Sequence, residues 1–346
     1  MAHGAQTKPQ ADQTGAATPA DWARVLIRYR EPSAARSWFE LVITLVPFVA
    51  IWAIAWWLVS ISPALALLLA LGNAAFLVRL FMIQHDCGHG AFFKSRKLAD
   101  WVGRSIGVLT MTPYDVWRQT HAIHHATTGN LDRRGVGDMP TLTVREFKQK
   151  SRIGKALYLL VRHPAFLFVV VPFYTFFLQN RLPVGLMKSG WKYWMSAMLT
   201  NTAIVTGVVM VLWLGGMDVL FFVIVPTLFL SAIAGMWLFY VQHQFEETLW
   251  ERNADWNIQT AAFHGSSHYV LPQPLRWISA NIGVHHVHHL ASRVPFYRLN
   301  EVLRDHPPLA DAQRLTLRES LQCARLQLWD EDSRRLILYR EAKPLL

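Results

Sequence analysis

Residues 41–60 read LVITLVPFVAIWAIAWWLVS, a run of 20 residues without a charged side chain. A helix needs about 20 apolar residues to cross the hydrocarbon core of a bilayer, which is about 30 Å thick. The run therefore predicts a membrane-spanning helix. A second apolar run, residues 63–84, follows after two residues and predicts a span that forms a tight hairpin with the first. Its one charged residue, Arg79, lies near the end of the run, where we expect the side chain to extend to the membrane interface.

The same arrangement recurs in the second half of the chain. Residues 194–214 and 219–241 contain no charged side chain, and a short turn, residues 215–218, joins them. They predict a second hairpin of spans. The apolar segment 165–178 is 14 residues long and contains Pro172, so it fits a re-entrant or interfacial segment better than a full span.

The composition supports a membrane class, since 52% of the residues are hydrophobic and only 16% are charged. We predict an all-α integral membrane fold with four transmembrane helices in two hairpins, interfacial helices and a cytoplasmic helical cap. The predicted parts are a disordered tail (1–20), a membrane domain (21–300) and a cytoplasmic C-terminal segment (301–346).

The distribution of basic residues predicts the orientation. The net charge is +11, yet neither hairpin turn contains Lys or Arg, and outside the turns Arg79 is the one basic residue within the spans. By the positive-inside rule, both termini and the stretch 85–193 are cytoplasmic, in a bacterial inner membrane. The basic excess thus orients the protein in the membrane, and we do not expect nucleic-acid binding.

Many of the 15 histidines fall in three clusters, namely HDCGH (85–89), HAIHH (121–125) and HHVHH (285–289). On a helix, residues three and four apart share one face, so each cluster directs its imidazoles to one point. A single such pair is more often a solvated or core pair, but three clusters on one membrane side favour a metal site. The eight imidazoles that converge at these spacings, which leave out His286, exceed the three or four ligands of one zinc ion and suit two ions. Imidazole binds iron, copper or zinc, so the spacing leaves the metal open.

The three clusters, in this order and with hairpins before the first and third, resemble the histidine boxes of the membrane fatty acid desaturase superfamily. The segments TTGNLDRRGVGD, YVQHQFE and NIGVHHVHHLASRVPFYRL are similar to those of bacterial acyl-lipid desaturases of the delta-12 or omega type. The resemblance covers residues 35–300. It implies a non-haem centre of two iron ions, with molecular oxygen as co-substrate and no catalytic side chain beyond the metal ligands.

The resemblance also implies a ligand set. His243, in YVQHQFE, matches an extra histidine of such proteins. The expected metal ligands are His85, His89, His121, His124, His125, His243, His285, His288 and His289.

The remaining histidines and the nearby acidic residues have subordinate predicted roles. His286 points about 100° away from His285 on a helix, so we expect it behind the ligands. Five histidines match no box and are expected at the surface or the interface: His3, His163, His264, His268 and His306. Metal-bound imidazoles usually donate their other N–H to an oxygen, and the candidates are Asp86, Asp115, Asp132, Asp138, Glu246 and Asn281.

The predicted function is oxygen-dependent desaturation of a fatty-acyl lipid chain. A lipid or carotenoid hydroxylase or ketolase, or an alkane hydroxylase, with the same centre stays open. A membrane metal transporter or haem carrier is disfavoured, because the spans offer few polar groups at mid-membrane.

The chain contains no CxxC pair and no Gly-rich dinucleotide fingerprint, so electrons must come from a separate donor such as ferredoxin or cytochrome b5 with its reductase. We expect an acidic donor to dock on the basic cytoplasmic surface that includes Arg133, Arg134, Lys148, Lys150, Arg152 and Lys155.

Overall fold

The computed structural model describes residues 17–345, and the fold is mainly helical. Most of the predicted tail (1–20), including His3, lies outside this range, and Pro19 already begins the first helix. The long helices are α2 (Ala34–Leu58), α3 (Pro63–His89), α9 (Trp191–Val219) and α10 (Val225–His243).

The shorter helices are α1 (Pro19–Val25), α4 (Arg96–Leu109), α5 (Tyr114–Thr127), α6 (Val144–Gln149), α7 (Arg152–Val161), α8 (Val171–Phe173), α11 (Ile258–His264), α12 (Gln273–Ile278), α13 (His285–Leu290), α14 (Leu299–Asp305), α15 (Pro307–Asp311), α16 (Leu317–Cys323) and α17 (Tyr339–Ala342). The strands are β1 (Leu142–Thr143), β2 (His268–Val270), β3 (Arg314–Thr316), β4 (Leu326–Asp330) and β5 (Arg335–Leu338). Turns of π-helix cover Phe166–Val170, Tyr174–Leu178 and Leu220–Ile224.

The first predicted hairpin is formed by α2 and α3. Both are long and apolar enough to cross a membrane, and each extends beyond the predicted run, by seven residues at the start of α2 and by five at the end of α3. Ser62 caps α3 by accepting the Leu65 N–H, and Pro63 occupies the first turn, where its missing N–H costs nothing. Gly90 ends the helix in the left-handed conformation, with φ of 67°, directly after His89.

The second predicted hairpin corresponds to a helical stretch of 53 residues, Trp191–His243. A straight helix of that length would extend about 80 Å, far more than the thickness of a bilayer. Gly216 breaks the stretch near its middle, with φ of 73° and ψ of −171°. The stretch therefore has the length for two crossings joined at the predicted turn. The fold class predicted from the sequence is confirmed.

The segment before α9 is bent. Helix α7 and the stretch Phe166–Arg181 meet at an angle of 63°, which is the geometry of a broken span or of a re-entrant loop. The interfacial or re-entrant position expected for 165–178 stays a prediction. On α7 the side chains of Ile153, Leu157 and Leu160 are exposed, as on a helix that lies in a membrane interface.

The C-terminal segment contains strands as well as helices. Strands β1, β4 and β5 form one sheet in that order, and β2 pairs with β3 in parallel. The cap expected to be helical is therefore mixed, because LQLWD (326–330) and RLIL (335–338) have the apolar and aromatic content of strands and are joined by a turn, residues 331–334.

The expected position of Arg79 is wrong. The side chain is buried, with 2% exposure, and pairs with Glu40 of α2, which is equally buried. Glu40 lies one position before the predicted span, so a partner for Arg79 inside the hairpin was not expected. Helix α3 also contributes Ile83 and Cys87 to a hydrophobic core that includes Val287 and Phe296. This core brings the first and third histidine clusters together.

Candidate metal centre

Four helices position the nine predicted ligands. Two histidines lie in the last two turns of α3, three in α5, one at the end of α10 and three in α13. The structure brings them into two groups. The five-histidine group contains His85, His89, His121, His125 and His288, and the four-histidine group contains His124, His243, His285 and His289. Within each group the nitrogen atoms that face one another all lie within 4.8 Å.

The spacing of the nitrogen atoms fits a shared ion. In the five-histidine group, His121 Nε2 lies 3.1 Å from the Nε2 atoms of His85 and His125. In the four-histidine group, His285 Nε2 lies 3.0 Å from His243 Nε2 and 3.1 Å from His289 Nε2. Two imidazole nitrogens that bind one ion at about 2.1 Å and at a right angle are about 3.0 Å apart, whereas tetrahedral ligands are about 3.4 Å apart.

Hydrogen bonds on the far side of two rings fix which nitrogen carries the proton. His124 Nδ1 lies 2.6 Å from Asp138 Oδ1, and His243 Nδ1 lies 3.1 Å from the Gly265 carbonyl oxygen. Both oxygens accept, so each Nδ1 donates, and a ring that carries a single proton there keeps a lone pair on Nε2. These two Nε2 atoms are 3.1 Å apart. Two lone pairs at that distance repel unless a cation lies between them, so the arrangement is that of a metal site.

A histidine of the first cluster is oriented by a carboxylate in the same way. His85 Nδ1 lies 3.1 Å from Asp86 Oδ1, and Asp86 Oδ2 accepts the backbone N–H of Phe296 at 2.7 Å. Asp86 therefore orients the imidazole of His85 and at the same time contacts the segment that follows the third cluster.

Burial keeps the imidazoles of four predicted ligands in the neutral form. Removal from water lowers the pKa of His121, His125, His288 and His289 well below 6.5, and the neighbouring histidines lower it further. A neutral imidazole is the form that binds a metal ion.

The two groups differ in their access to solvent. All members of the four-histidine group are buried, whereas His89, His121 and His125 are partly exposed. A cavity of about 290 Å³ reaches His89 and His121, with Trp117 on its wall and Arg96 and Arg118 among the residues that line it. The Trp117 ring stacks on His121, with centroids 4.7 Å apart. The five-histidine group is thus the one that is open to the outside.

Comparison with known proteins agrees with this geometry. A family model described as fatty acid desaturase matches residues 62–320, a range that includes all nine histidines. The chain belongs to the fatty acid desaturase family. It is an oxidoreductase, as the sequence predicts, and its apolar helices and histidine groups are those expected of a membrane desaturase.

The desaturase has relatives over most of its length. It is 39% identical over 332 residues to a fatty acid desaturase of Bacillus subtilis (strain 168), a match that covers 96% of this chain and 94% of that protein. It is 30% identical over 248 residues to the sn-1 acyl-lipid omega-3 desaturase (ferredoxin) of Synechocystis sp., covering 66% and 64% of the two chains. It is 25% identical over 277 residues to the sn-1 oleoyl-lipid 12-desaturase of the same organism, covering 78% and 75%.

The other histidines within residues 17–345 of the desaturase lie outside the two groups. His286 is buried behind the ligands and its Nε2 lies 2.9 Å from the Leu309 carbonyl oxygen. His163 is exposed, and His264 and His306 are partly exposed. The surface position expected for His268 is wrong, because β2 pairs with β3 and leaves the ring at 9% exposure, with Nδ1 2.8 Å from the Ala310 carbonyl oxygen.

Of the candidate supporting residues, the structure places Asp86 and Asp138 against predicted ligands. The others have different partners: Asp115 accepts from Arg104, Asp132 from Arg252, Glu246 from Arg335, and Asn281 donates to the Phe296 carbonyl oxygen. Sequence reasoning missed the Gly265 carbonyl oxygen, since a backbone group leaves no sign in the sequence. It also missed Trp117, although a Trp four residues before His121 lies on the same helix face.

Proposed function

We propose that this desaturase introduces a double bond into the acyl chain of a membrane lipid, with two iron ions bound by the nine histidines and with dioxygen as co-substrate. The observation that carries the proposal is the pair of facing Nε2 atoms of His124 and His243, whose protons are held on the opposite nitrogens. The division into five and four converging imidazoles supports two ions rather than one.

Iron is the metal that the family resemblance implies, and the donor geometry supports it. Five nitrogens with right-angled spacing suit an ion of higher coordination number, whereas structural zinc takes four ligands in a tetrahedron. When bound, the ions and dioxygen supply the oxidant that an unactivated methylene requires and no side chain provides.

The protein's own contribution is to orient the imidazoles and to exclude water from the site. Asp138 and the Gly265 carbonyl oxygen hold His124 and His243 in one tautomer, and Asp86 does the same for His85. Phe239 covers the buried group, with its ring centroid 5.3 Å from that of His124. These contacts keep the imidazoles in place and reduce the access of water to the reacting carbon atoms.

The substrate proposed is an acyl chain attached to a membrane lipid. Relatives from Synechocystis sp. are named as acyl-lipid or oleoyl-lipid desaturases, and two of the four helices that carry the histidines, α3 and α10, belong to the candidate membrane spans. An acyl chain that stays in the bilayer would reach the two histidine groups without leaving an apolar environment.

We further propose a bacterial inner membrane with the histidines and both termini on the cytoplasmic side. Helices α3 and α10 each run from a hairpin turn to a histidine, so His89 and His243 lie opposite the turns at Ser62 and Gly216. The absence of Lys and Arg from both turns supports an external position for them.

The electron donor proposed is a separate acidic redox protein, either a ferredoxin or cytochrome b5 with its reductase. A Synechocystis relative is named with ferredoxin. Among the basic residues expected to attract such a donor, Arg133, Lys148, Lys150 and Arg152 are exposed, and Arg134 pairs with Glu146.

Expression in a bacterial host that lacks a desaturase of this type tests the proposal. Gas chromatography with double-bond mapping should show a new unsaturated fatty acid with the parent protein and none with His85→Ala, His124→Ala, His288→Ala or His289→Ala. The control substitutions His163→Ala, His264→Ala and His306→Ala should leave most of the product. Detection of a hydroxylated or ketolated product would contradict desaturation and would support the alternative function, that of an oxygenase.

A further inference from the structure

A buried arginine in the first hairpin contacts the segment that carries the third histidine cluster. The Arg79 guanidinium donates to Glu40 and to the Trp277 carbonyl oxygen, and its Nε donates to Thr44 Oγ1 at 3.1 Å. It also lies over the Trp277 ring, 4.1 Å from the centroid. Arg79 therefore ties two spans of the hairpin to the end of α12, which precedes the third cluster in the chain.

A second contact lies two turns further along the same face of α3. Asp86 follows Arg79 by seven residues, which on an α-helix places the two side chains within about 20° of one another. Its carboxylate accepts the Phe296 N–H at 2.7 Å. One face of α3 thus holds both ends of the segment 277–296, which contains His285, His288 and His289.

The segment between these two contacts is under strain. Ala280 and Asn281 have φ of 50° and 57°, a left-handed conformation that is unfavourable for residues other than glycine and persists only where the surroundings impose it. Gly283 approaches Tyr269 so closely that a Cβ would come within 2.4 Å of its carbonyl oxygen. Such a path needs external contacts to hold it in place.

We propose that Arg79, together with Glu40, is a positioning residue that holds the third histidine cluster in register with the first. The inference rests on the proposed metal-binding role of the histidines. The third cluster contributes His288 to the five-histidine group and His285 and His289 to the four-histidine group, so a shift of 277–296 would weaken both groups.

Stability alone gives no reason for this ion pair. Replacement of a buried ion pair by apolar side chains of similar volume is often neutral or stabilising. Apolar side chains could not donate a hydrogen bond to the Trp277 carbonyl oxygen, which is the contact between Arg79 and the segment 277–296.

Two variants separate positioning from folding. Arg79→Lys keeps the charge opposite Glu40, but one ammonium group on a flexible stem lacks the fork that reaches Glu40, Thr44 and the Trp277 carbonyl oxygen together. The neutral pair Glu40→Gln/Arg79→Met removes the buried charges. The matched control is Arg36→Met, because Arg36 also pairs with Glu40, at 2.7 Å, but is 52% exposed.

Each full-length variant is purified, and three quantities are measured: the unfolding midpoint, ferrous iron binding against a competing chelator, and amide hydrogen exchange of peptides from 277–296. For Arg79→Lys we expect an unfolding midpoint close to the parent, iron binding about 10-fold weaker, as for other residues that orient metal ligands, and faster exchange confined to 277–296. Arg36→Met should match the parent in all three.

Parental iron binding and exchange in folded Arg79→Lys would overturn the inference. If that variant fails to fold, the neutral pair decides by the same measurements, and failure of both to fold would assign the ion pair to folding and also overturn it. If the parent binds no iron, the proposed function fails, while exchange of 277–296 in the metal-free protein still tests the positioning role.

Discussion

At the scale of single residues, a metal site differs from a cluster of core histidines in one contact. This contact is the hydrogen bond from Nδ1, the ring nitrogen that faces away from the metal site, to an oxygen atom. Asp138 fixes the proton of His124 on Nδ1, and Gly265 does so for His243. The sequence predicted Asp138 as one of six candidates, and only the structure could select it, because its distance to His124 depends on how the loop 128–140 folds.

Loss of Asp138 should weaken metal binding without loss of the fold. For Asp138→Ala we expect iron binding weaker by about 10- to 100-fold, since the His124 ring would lose its fixed orientation. Chelator competition with the purified protein measures this effect. The control is Asp132→Ala, whose carboxylate accepts from Arg252 and touches no predicted ligand. Equal iron affinity in Asp138→Ala and the parent would contradict the role given to this carboxylate.

The buried imidazoles also predict how stability depends on pH. In the folded metal-free protein, burial holds the pKa of His121, His125 and His289 well below 6.5, whereas in the unfolded chain the pKa returns to about 6.5. The unfolded state therefore binds more protons, and stability should fall as the pH drops below about 6.5. Thermal unfolding of metal-free protein between pH 7.5 and 5.5 measures this. An unfolding midpoint that rises on acidification over this range would contradict it.

At the scale of elements, the sequence predicted the two hairpins because runs of uncharged residues report span length directly. It missed the seven residues at the start of α2 because that stretch contains Arg36 and Glu40, whose pairing partners are visible only after the helices pack. It also missed the strands β4 and β5 of the C-terminal segment, which short apolar runs do not distinguish from helices. Elements fixed by local composition were thus predictable, whereas those fixed by tertiary contacts were not.

The hairpins make a prediction about topology. Single cysteines at Ser62 or Gly216, in a chain whose native Cys87 and Cys323 are both buried, should react with an impermeant reagent from outside the cell. Cysteines at Gly129, Lys188 or Ser333 should react only after the membrane is opened. External labelling at Lys188 would mean that the bent stretch before α9 crosses the membrane completely.

At the scale of the whole molecule, the three clusters were predictable from their spacing, and their division into five and four ligands was not. His121 and His124 lie three residues apart on α5 yet belong to different groups, because each group is completed by histidines from other helices. The four-histidine group and the five-histidine group also differ in their access to solvent. This difference depends on the packing of Phe239 and Trp117, and the histidine motifs do not show it.

The absence of CxxC and dinucleotide-binding motifs predicts dependence on an external electron donor, and the net positive charge predicts that its docking is sensitive to salt. With NADPH alone the purified desaturase should be inactive, and ferredoxin with its reductase should restore turnover. The rate should fall as salt rises from 0.1 to 1 M, because the screening length shortens from about 10 Å to about 3 Å. The variant Lys150→Glu/Arg152→Glu, at two exposed basic residues, should need more ferredoxin for the same rate. Sustained turnover without any added carrier would contradict this prediction.

The central claim is that nine histidines form two metal sites in one desaturase, and the iron content of the purified protein tests it most directly. Elemental analysis of iron-loaded protein should give about two iron ions per chain for the parent and for His163→Ala. It should give markedly fewer for His121→Ala, from the five-histidine group, and for His243→Ala, from the four-histidine group. A parent that binds no iron, or a His243→Ala protein that retains two ions per chain, would contradict the account.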